Sequence, residues 1–299
     1  MQMRILSVLA AMMGLAAPAW ALKIAMPIQQ TTLQKTLAAD VIVVGKVTSI
    51  EDDTISLEPW PKQPKVPYLV GNIKIETSYL GAKNITHAKL VWPKPAEDMP
   101  AQIIPGRGKV IARPLPGRFG AAAFVPQLDQ EGLFFLQKHP TEAGYFTIAI
   151  GHNPILSNAK NYDEDLKKVQ LSTVALDNPL KALSADKPED RIPAALTLAA
   201  KYRMPPPANP TGICNEVSIP TEESKLFLKL LLEADWAESD APKLADALGL
   251  IPGQYAIPEV NPAEGESMAA TRQAVFKAWH AKFGEKFTVK RLVANQASK

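Results

Sequence analysis

Four aromatic residues, Trp60, Tyr68, Tyr79 and Trp92, alternate along the chain with six lysines: Lys62, Lys65, Lys74, Lys83, Lys89 and Lys94. Four more cations follow, Arg107, Lys109, Arg113 and Arg118. Aromatic rings offer faces for stacking, and ammonium or guanidinium groups attract anions. The pattern therefore suits holding an anionic polymer or an acidic protein surface rather than breaking a covalent bond. Residues 60–118 carry these ten cations against Glu76, Glu97 and Asp98, a net +7, although the whole chain is only +3. The flanks lean the other way, with −2 over residues 22–59 and −3 over residues 119–299. The same residues also fit a plainer arrangement, in which the lysines keep an outer face soluble and the rings fill a core. Both arrangements stay open on the sequence. For the first, the candidate contact residues are Trp60, Lys62, Lys65, Trp92, Lys94, Arg107, Lys109, Arg113 and Arg118.

Catalytic patterns are harder to find. The chain has no G-x-S-x-G turn and no H-E-x-x-H pair. Pro105–Val110 has a Gly-Arg-Gly-Lys core but lacks the upstream glycine and the Ser or Thr after lysine that a phosphate loop needs. His87, His139, His152 and His280 are far apart in sequence, each best read as exposed or singly hydrogen-bonded. Asp52-Asp53 and Asp163-Glu164-Asp165 lack the spaced oxygen ligands of a calcium loop. Cys214 is the one cysteine, so no internal disulfide forms and no thiol pair exists for zinc. We assign no catalytic residue, metal ligand or cofactor from the sequence. A hydrolase would have to assemble its groups from distant parts of the chain.

The N-terminus reads as an address. Arg4 precedes the apolar run Ile5–Ala17, and Pro18-Ala19-Trp20-Ala21 places small residues where signal peptidase reads. Cleavage is expected after Ala21. The run ends short of the roughly 20 residues that span a bilayer, so no stable membrane insertion is expected after cleavage. No twin arginine precedes it and no cysteine follows it. The expected location is the periplasm or the exterior. That location favours an envelope glycan or a protein as partner, and disfavours nucleic acid.

The elements that must carry these residues are legible from their periods. Val41–Val44 is a β-branched run suited to a strand covered on both faces, and Gly45 marks a bend where the pattern becomes alternating. A short helix is expected over Thr31–Ala39, and strands over Thr54–Glu58, Val66–Leu80, Ile85–Trp92, Gly132–Leu136 and Tyr145–Ile150. Within Val66–Leu80 the apolar parity changes at Gly71-Asn72, which predicts a bulge there. Pro93–Pro126 is a long Pro- and Gly-rich stretch, with a short strand expected at Lys109–Ala112. Beyond Gly151 the spacing predicts a linker over 152–162 and then helices starting at Asp163, Pro179, Pro188, Thr221, Pro242 and Glu264. A final strand is expected over Phe287–Val293.

A resemblance follows from three stretches. Ala39-Asp40-Val41-Ile42-Val43-Val44-Gly45-Lys46-Val47 opens the set, a long strand ending Tyr79-Leu80-Gly81 lies in the middle, and Gly132–Leu136 followed by Tyr145–Ile148 closes it. Together they resemble the OB-fold module of the netrin and tissue-metalloprotease-inhibitor type, found also in exported bacterial proteins. The resemblance covers about residues 29–151. It implies a small β-barrel whose face binds polymers. The animal inhibitors use an N-terminal cysteine to chelate zinc. Here the expected mature N-terminus is Leu22 and their disulfides are absent, so inhibition is not implied. The rest of the chain resembles, more loosely, small HEAT-like helical domains. The expected fold class is α+β in two domains: a signal peptide over 1–21, an OB-like barrel over 29–151, the linker, and a helical domain over 163–299. The expected function is non-enzymatic binding. A hydrolase and a purely structural envelope protein are the alternatives.

Overall fold

Thr31 caps the first helix, α1 (Thr32–Ala38), through a box in which Thr31 and Gln34 satisfy each other's backbone. The chain then enters strand β1 (Val41–Ile50). This computed structural model describes residues 30–94, 124–149, 151–205, 214–262 and 264–294, and all structural statements concern those residues. Six strands follow β1 in one seven-stranded sheet: β2 (Ile55–Leu57), β3 (Val66–Leu80), β4 (His87–Pro93), β5 (Glu131–Lys138), β6 (Tyr145–Thr147) and β7 (Ile155–Leu156). β1 pairs antiparallel with β3 on one side and β5 on the other. β3 pairs antiparallel with β4, β4 runs parallel to β6, and β6 returns antiparallel to β5. The stretch Lys109–Ala112 lies outside the described residues.

β1 is covered on both faces, as its β-branched run requires. Val41, Val43 and Val47 join Ile73, Leu90, Trp92, Phe134 and Leu136 in one cluster. Ile42 joins Leu133, Phe135 and Val169 in another. At Gly45 the register with β3 shifts, and a Cβ there would lie 2.4 Å from the Lys74 carbonyl oxygen. Only glycine lets the two backbones approach so closely.

A bulge does fall at the expected level, Asn72, but its extra residue belongs to the partner strand β1 and not to β3. β3 and β4 pair without a shift from Tyr68↔Pro93 to Lys74↔His87. The change of parity has another cause: Tyr68 and Val70 face a small cluster with Leu57 and Val91, while Leu69 and Ile73 face the larger cluster behind β1. β3 is simply buried on both sides there. The extra residue at that level sits in β1, where Val47 pairs Ile73 and Ser49 pairs Asn72.

The rest is helical: α2 (Tyr162–Asp177), α3 (Pro179–Leu183), α4 (Pro188–Arg203), α5 (Thr221–Glu233), α6 (Ala241–Ala247) and α7 (Met268–Phe283). Gly265, at φ +86°, keeps the chain out of helix just before α7, which therefore starts later than Glu264. Phe227, Leu231, Trp236, Leu244, Phe276 and Trp279 form the helical core. The final strand β9 (Lys290–Ala294) pairs with β8 (Cys214–Ser218), which was too short and polar to stand out in the sequence.

α2 joins the two regions. Val169 packs under Ile42 and Phe135, Gln170 Nε2 donates to Tyr79 Oη at 3.1 Å, and Thr32 Oγ1 donates to Asp165 Oδ1 at 2.6 Å. The span 152–162, expected as a linker, holds β7 and the buried His152.

Candidate functional site

The loop between β2 and β3 carries three of the candidate residues. Trp60-Pro61-Lys62-Gln63 makes a turn closed by Gln63 N donating to the Trp60 carbonyl at 3.1 Å. Proline fits the second turn position because its ring fixes φ. Lys62 occupies the third at φ +69°, a left-handed conformation that usually selects Gly or Asn. A lysine held there costs on the order of 1 kcal/mol of backbone energy. Trp60 is 62% exposed, the most exposed of the large apolar side chains described.

Lys65 and Lys94 complete the corner. Lys65 is exposed just before β3, and Lys94 N donates to the Pro67 carbonyl at 3.0 Å. The backbone thus brings the end of β4 beside the start of β3, with Trp60 and Lys62 on the adjoining loop. The base of that loop is held from β5 and the turn after it. Thr141 Oγ1 donates to the Glu58 carbonyl at 2.8 Å and lies 3.2 Å from His139 Nδ1. The His139 ring meets Tyr68 edge-on at 5.6 Å. An exposed indole on a braced loop that also carries Lys62 and Lys65 can stack on a ring and attract an anion.

Not all the candidates gather there. Trp92 is buried in the cluster behind β1, with its ring against Gly71, so its bulk serves the core rather than a stacking surface. Lys74 pairs opposite His87 at the far end of the β3–β4 ladder. Lys89 lies over the Tyr145 ring, 5.8 Å from its centre. Arg107, Lys109, Arg113 and Arg118 lie outside the described residues.

The histidines are dispersed. His87 is exposed beside Thr86 Oγ1, at 3.0 Å. His139 and His152 are buried, and burial holds both below the ordinary histidine value. For His152 the neighbouring Lys35 charge adds to that effect. Among the described residues no group of three or more His, Cys, Asp or Glu side chains is placed to hold a metal ion.

The helical region holds a concavity that no motif in the sequence announces. A cleft of about 700 Å³ lies between the start of α4 and the end of α5 with the turn that follows it. Leu230, Ile192 and Ala234 form its inner wall, and Glu189, Glu233, Asp235, Glu238 and Asp240 stand exposed around it. The two walls are about forty residues apart in sequence and neither carries a motif, so only the fold reveals it.

Neither a protein-family model nor a curated protein matches this chain. Its function must therefore be argued from its own residues.

Proposed function

We propose that the chain is an exported, non-enzymatic binding module. In this reading it holds an acidic glycan or an acidic protein surface of the cell envelope at the corner formed by Trp60, Lys62, Lys65 and Lys94. The observation that carries the reading is the exposed Trp60 on a turn that keeps Lys62 in a strained conformation. Unfavourable backbone conformations persist where the surrounding structure over-determines them, and they cluster at ligand-binding positions. The section bearing Arg107, Lys109, Arg113 and Arg118 begins directly after Lys94 in sequence and supplies further positive charge.

The likeness to the netrin and tissue-metalloprotease-inhibitor OB module belongs to the same proposal. It is supported by the ring of pairings β1–β3–β4–β6–β5 and back to β1, with one parallel step between β4 and β6. A five-stranded barrel of that order presents a polymer-binding face. Export is supported by the charged start, short apolar run and Ala19/Ala21 pattern at the N-terminus.

The test is binding of the purified 22–299 chain to polygalacturonate at low and raised salt, with single-stranded DNA as a second polyanion. The reading expects glycan binding that weakens steeply with salt and is lost in the joint Lys62→Glu, Lys65→Glu variant. Binding that survives this double reversal, or none at low salt, contradicts it. DNA bound more tightly than the glycan would overturn the choice of partner.

A further inference from the structure

The cleft at the start of α4 differs chemically from the basic corner. Its inner wall is apolar: Leu230 is 7% exposed, with Ile192 and Ala234 half-buried beside it. Five carboxylates surround that wall, and the one cation lining the cleft is Arg191, whose Nε donates to the Ala185 carbonyl at 2.6 Å. The cleft continues into a smaller pocket of about 160 Å³ through the shared residues Arg191, Leu230 and Glu233. Together they form a groove within the volume range of ligand clefts, roughly 300–1,000 Å³.

We propose that this groove docks an extended basic segment of a partner protein, one that alternates Lys or Arg with an apolar residue. Charge complementarity selects the cations, because five carboxylates line the groove against two cations, Arg191 and Lys229. The buried Leu230 wall selects an apolar side chain, which a simple polyamine lacks. The continuation into a second pocket leaves room for more than a single ion, and the rim carboxylates are not gathered into a metal site. Glu233 and Asp240 each have an exposed lysine nearby, Lys229 at 3.7 Å and Lys243 at 2.7 Å. Both pairs are at the surface, where water screens them and a partner's cation can replace the lysine at little cost.

The experiment uses the purified 22–299 chain and a fluorescein-labelled nonapeptide of alternating lysine and leucine, followed by fluorescence anisotropy. Two control peptides replace leucine by serine or lysine by glutamate. The lysine–leucine peptide is expected to bind, with at least tenfold weakening in the Glu189→Lys, Glu238→Lys double variant. Both residues are exposed, but Glu189 lies in the first turn of α4, so the reversal is expected to lower the melting temperature slightly; a Glu189→Gln, Glu238→Gln variant, intermediate in affinity, removes charge without adding any. The serine peptide should bind more weakly and the glutamate peptide not at all. Equal affinity for parent and reversed variant overturns the proposal, as does no binding at low salt. Spermidine competing as well as the peptide would make the ligand a small polycation and overturn it too. Salt-sensitive self-association abolished by the same reversal, without peptide binding, would make the occupant a second copy and also overturn it. Polygalacturonate binding should be unchanged in these variants, which separates this result from the fate of the basic corner.

Discussion

The sheet and the helices solve the problem of burial differently, and their surfaces diverge accordingly. In the sheet, β1 and β3 are covered on both sides, so their apolar residues are divided among three modest clusters. In the helices, a single large cluster gathers residues from Ala175 of α2 to Val289, just before β9. Exposed polar residues of the sheet lie along the second half of β3, at Lys74, Glu76, Thr77 and Ser78, and on the turns and ends. Trp60, Lys62, Lys65 and Lys94 occupy one such end. Helices each bury one stripe and expose the rest, and where α4 and α5 splay apart a groove remains between them. One region thus presents a basic, protruding corner and the other an acidic hollow.

This comparison is broken most severely at the shared seam. Phe135 is 1% exposed and packs with Val169 of α2, so Phe135→Ala should cost about 3–5 kcal/mol. Because the seam joins both regions, sheet and helix signals should fall in one transition, measurable by chemical denaturation with near- and far-UV circular dichroism. Two separated transitions in the parent chain would show that α2 does not couple them.

Gly45→Ala should be the next largest effect. Its Cβ would meet the Lys74 carbonyl oxygen at 2.4 Å, so the β1–β3 pairing must shift at a cost of about 1–3 kcal/mol. A melting temperature equal to that of the parent would contradict the close approach.

Acid should weaken the fold through two buried histidines. Burial holds His139 and His152 below the ordinary 6.5, so the unfolded chain takes up their protons first. Stability is then full above about pH 6.5 and falls as pH drops below it. The groups facing His152 sharpen the effect. Lys35 of α1 donates to the Asn153 carbonyl at 2.8 Å, and Asp165 of α2 offsets the Lys35 charge. His152 Nδ1 is buried without a hydrogen-bond partner. Melting temperatures at pH 5 and pH 7.5 should differ less in His152→Gln than in the parent. An unchanged difference would remove His152 from the account.

The smallest expected stability change is at the corner. Trp60→Ala alters an exposed side chain and should move stability by no more than about 0.5 kcal/mol. Affinity for polygalacturonate should nevertheless fall at least tenfold, about 1.4 kcal/mol. A variant that loses stability but keeps affinity would assign Trp60 to the fold.

Much of this arrangement was legible in the sequence because its causes are local. The β-branched run at Val41–Val44 and the glycine at the bend depend on neighbouring residues. Phe134 and Phe135, within the strand expected over Gly132–Leu136, are both buried. Other features depended on tertiary partners. The change of parity in β3 reflects burial on both sides, and the bulge at that level has its extra residue in β1, which the β3 sequence does not show. Trp92 looked like a surface aromatic because the lysines around it are exposed, and nothing nearby indicated which face its ring takes. The acidic groove needed Glu189 and Glu238 brought together across helices, and no spacing in the chain announces that. β8 was missed because five residues ending in Glu216-Val217-Ser218 have no period to detect.

The central claim is that Trp60 and its lysines form a working surface. Trp92, Trp236 and Trp279 are buried, so among the described tryptophans Trp60 alone is open to a ligand in solution. Tryptophan emission of the 22–299 chain should therefore be titrated with polygalacturonate, alongside Trp60→Phe and the Lys62→Glu, Lys65→Glu variant. The account predicts a saturable change that disappears in Trp60→Phe, vanishes in the lysine reversal and weakens with salt. A change that persists in Trp60→Phe, or none in the parent at low salt, would contradict it.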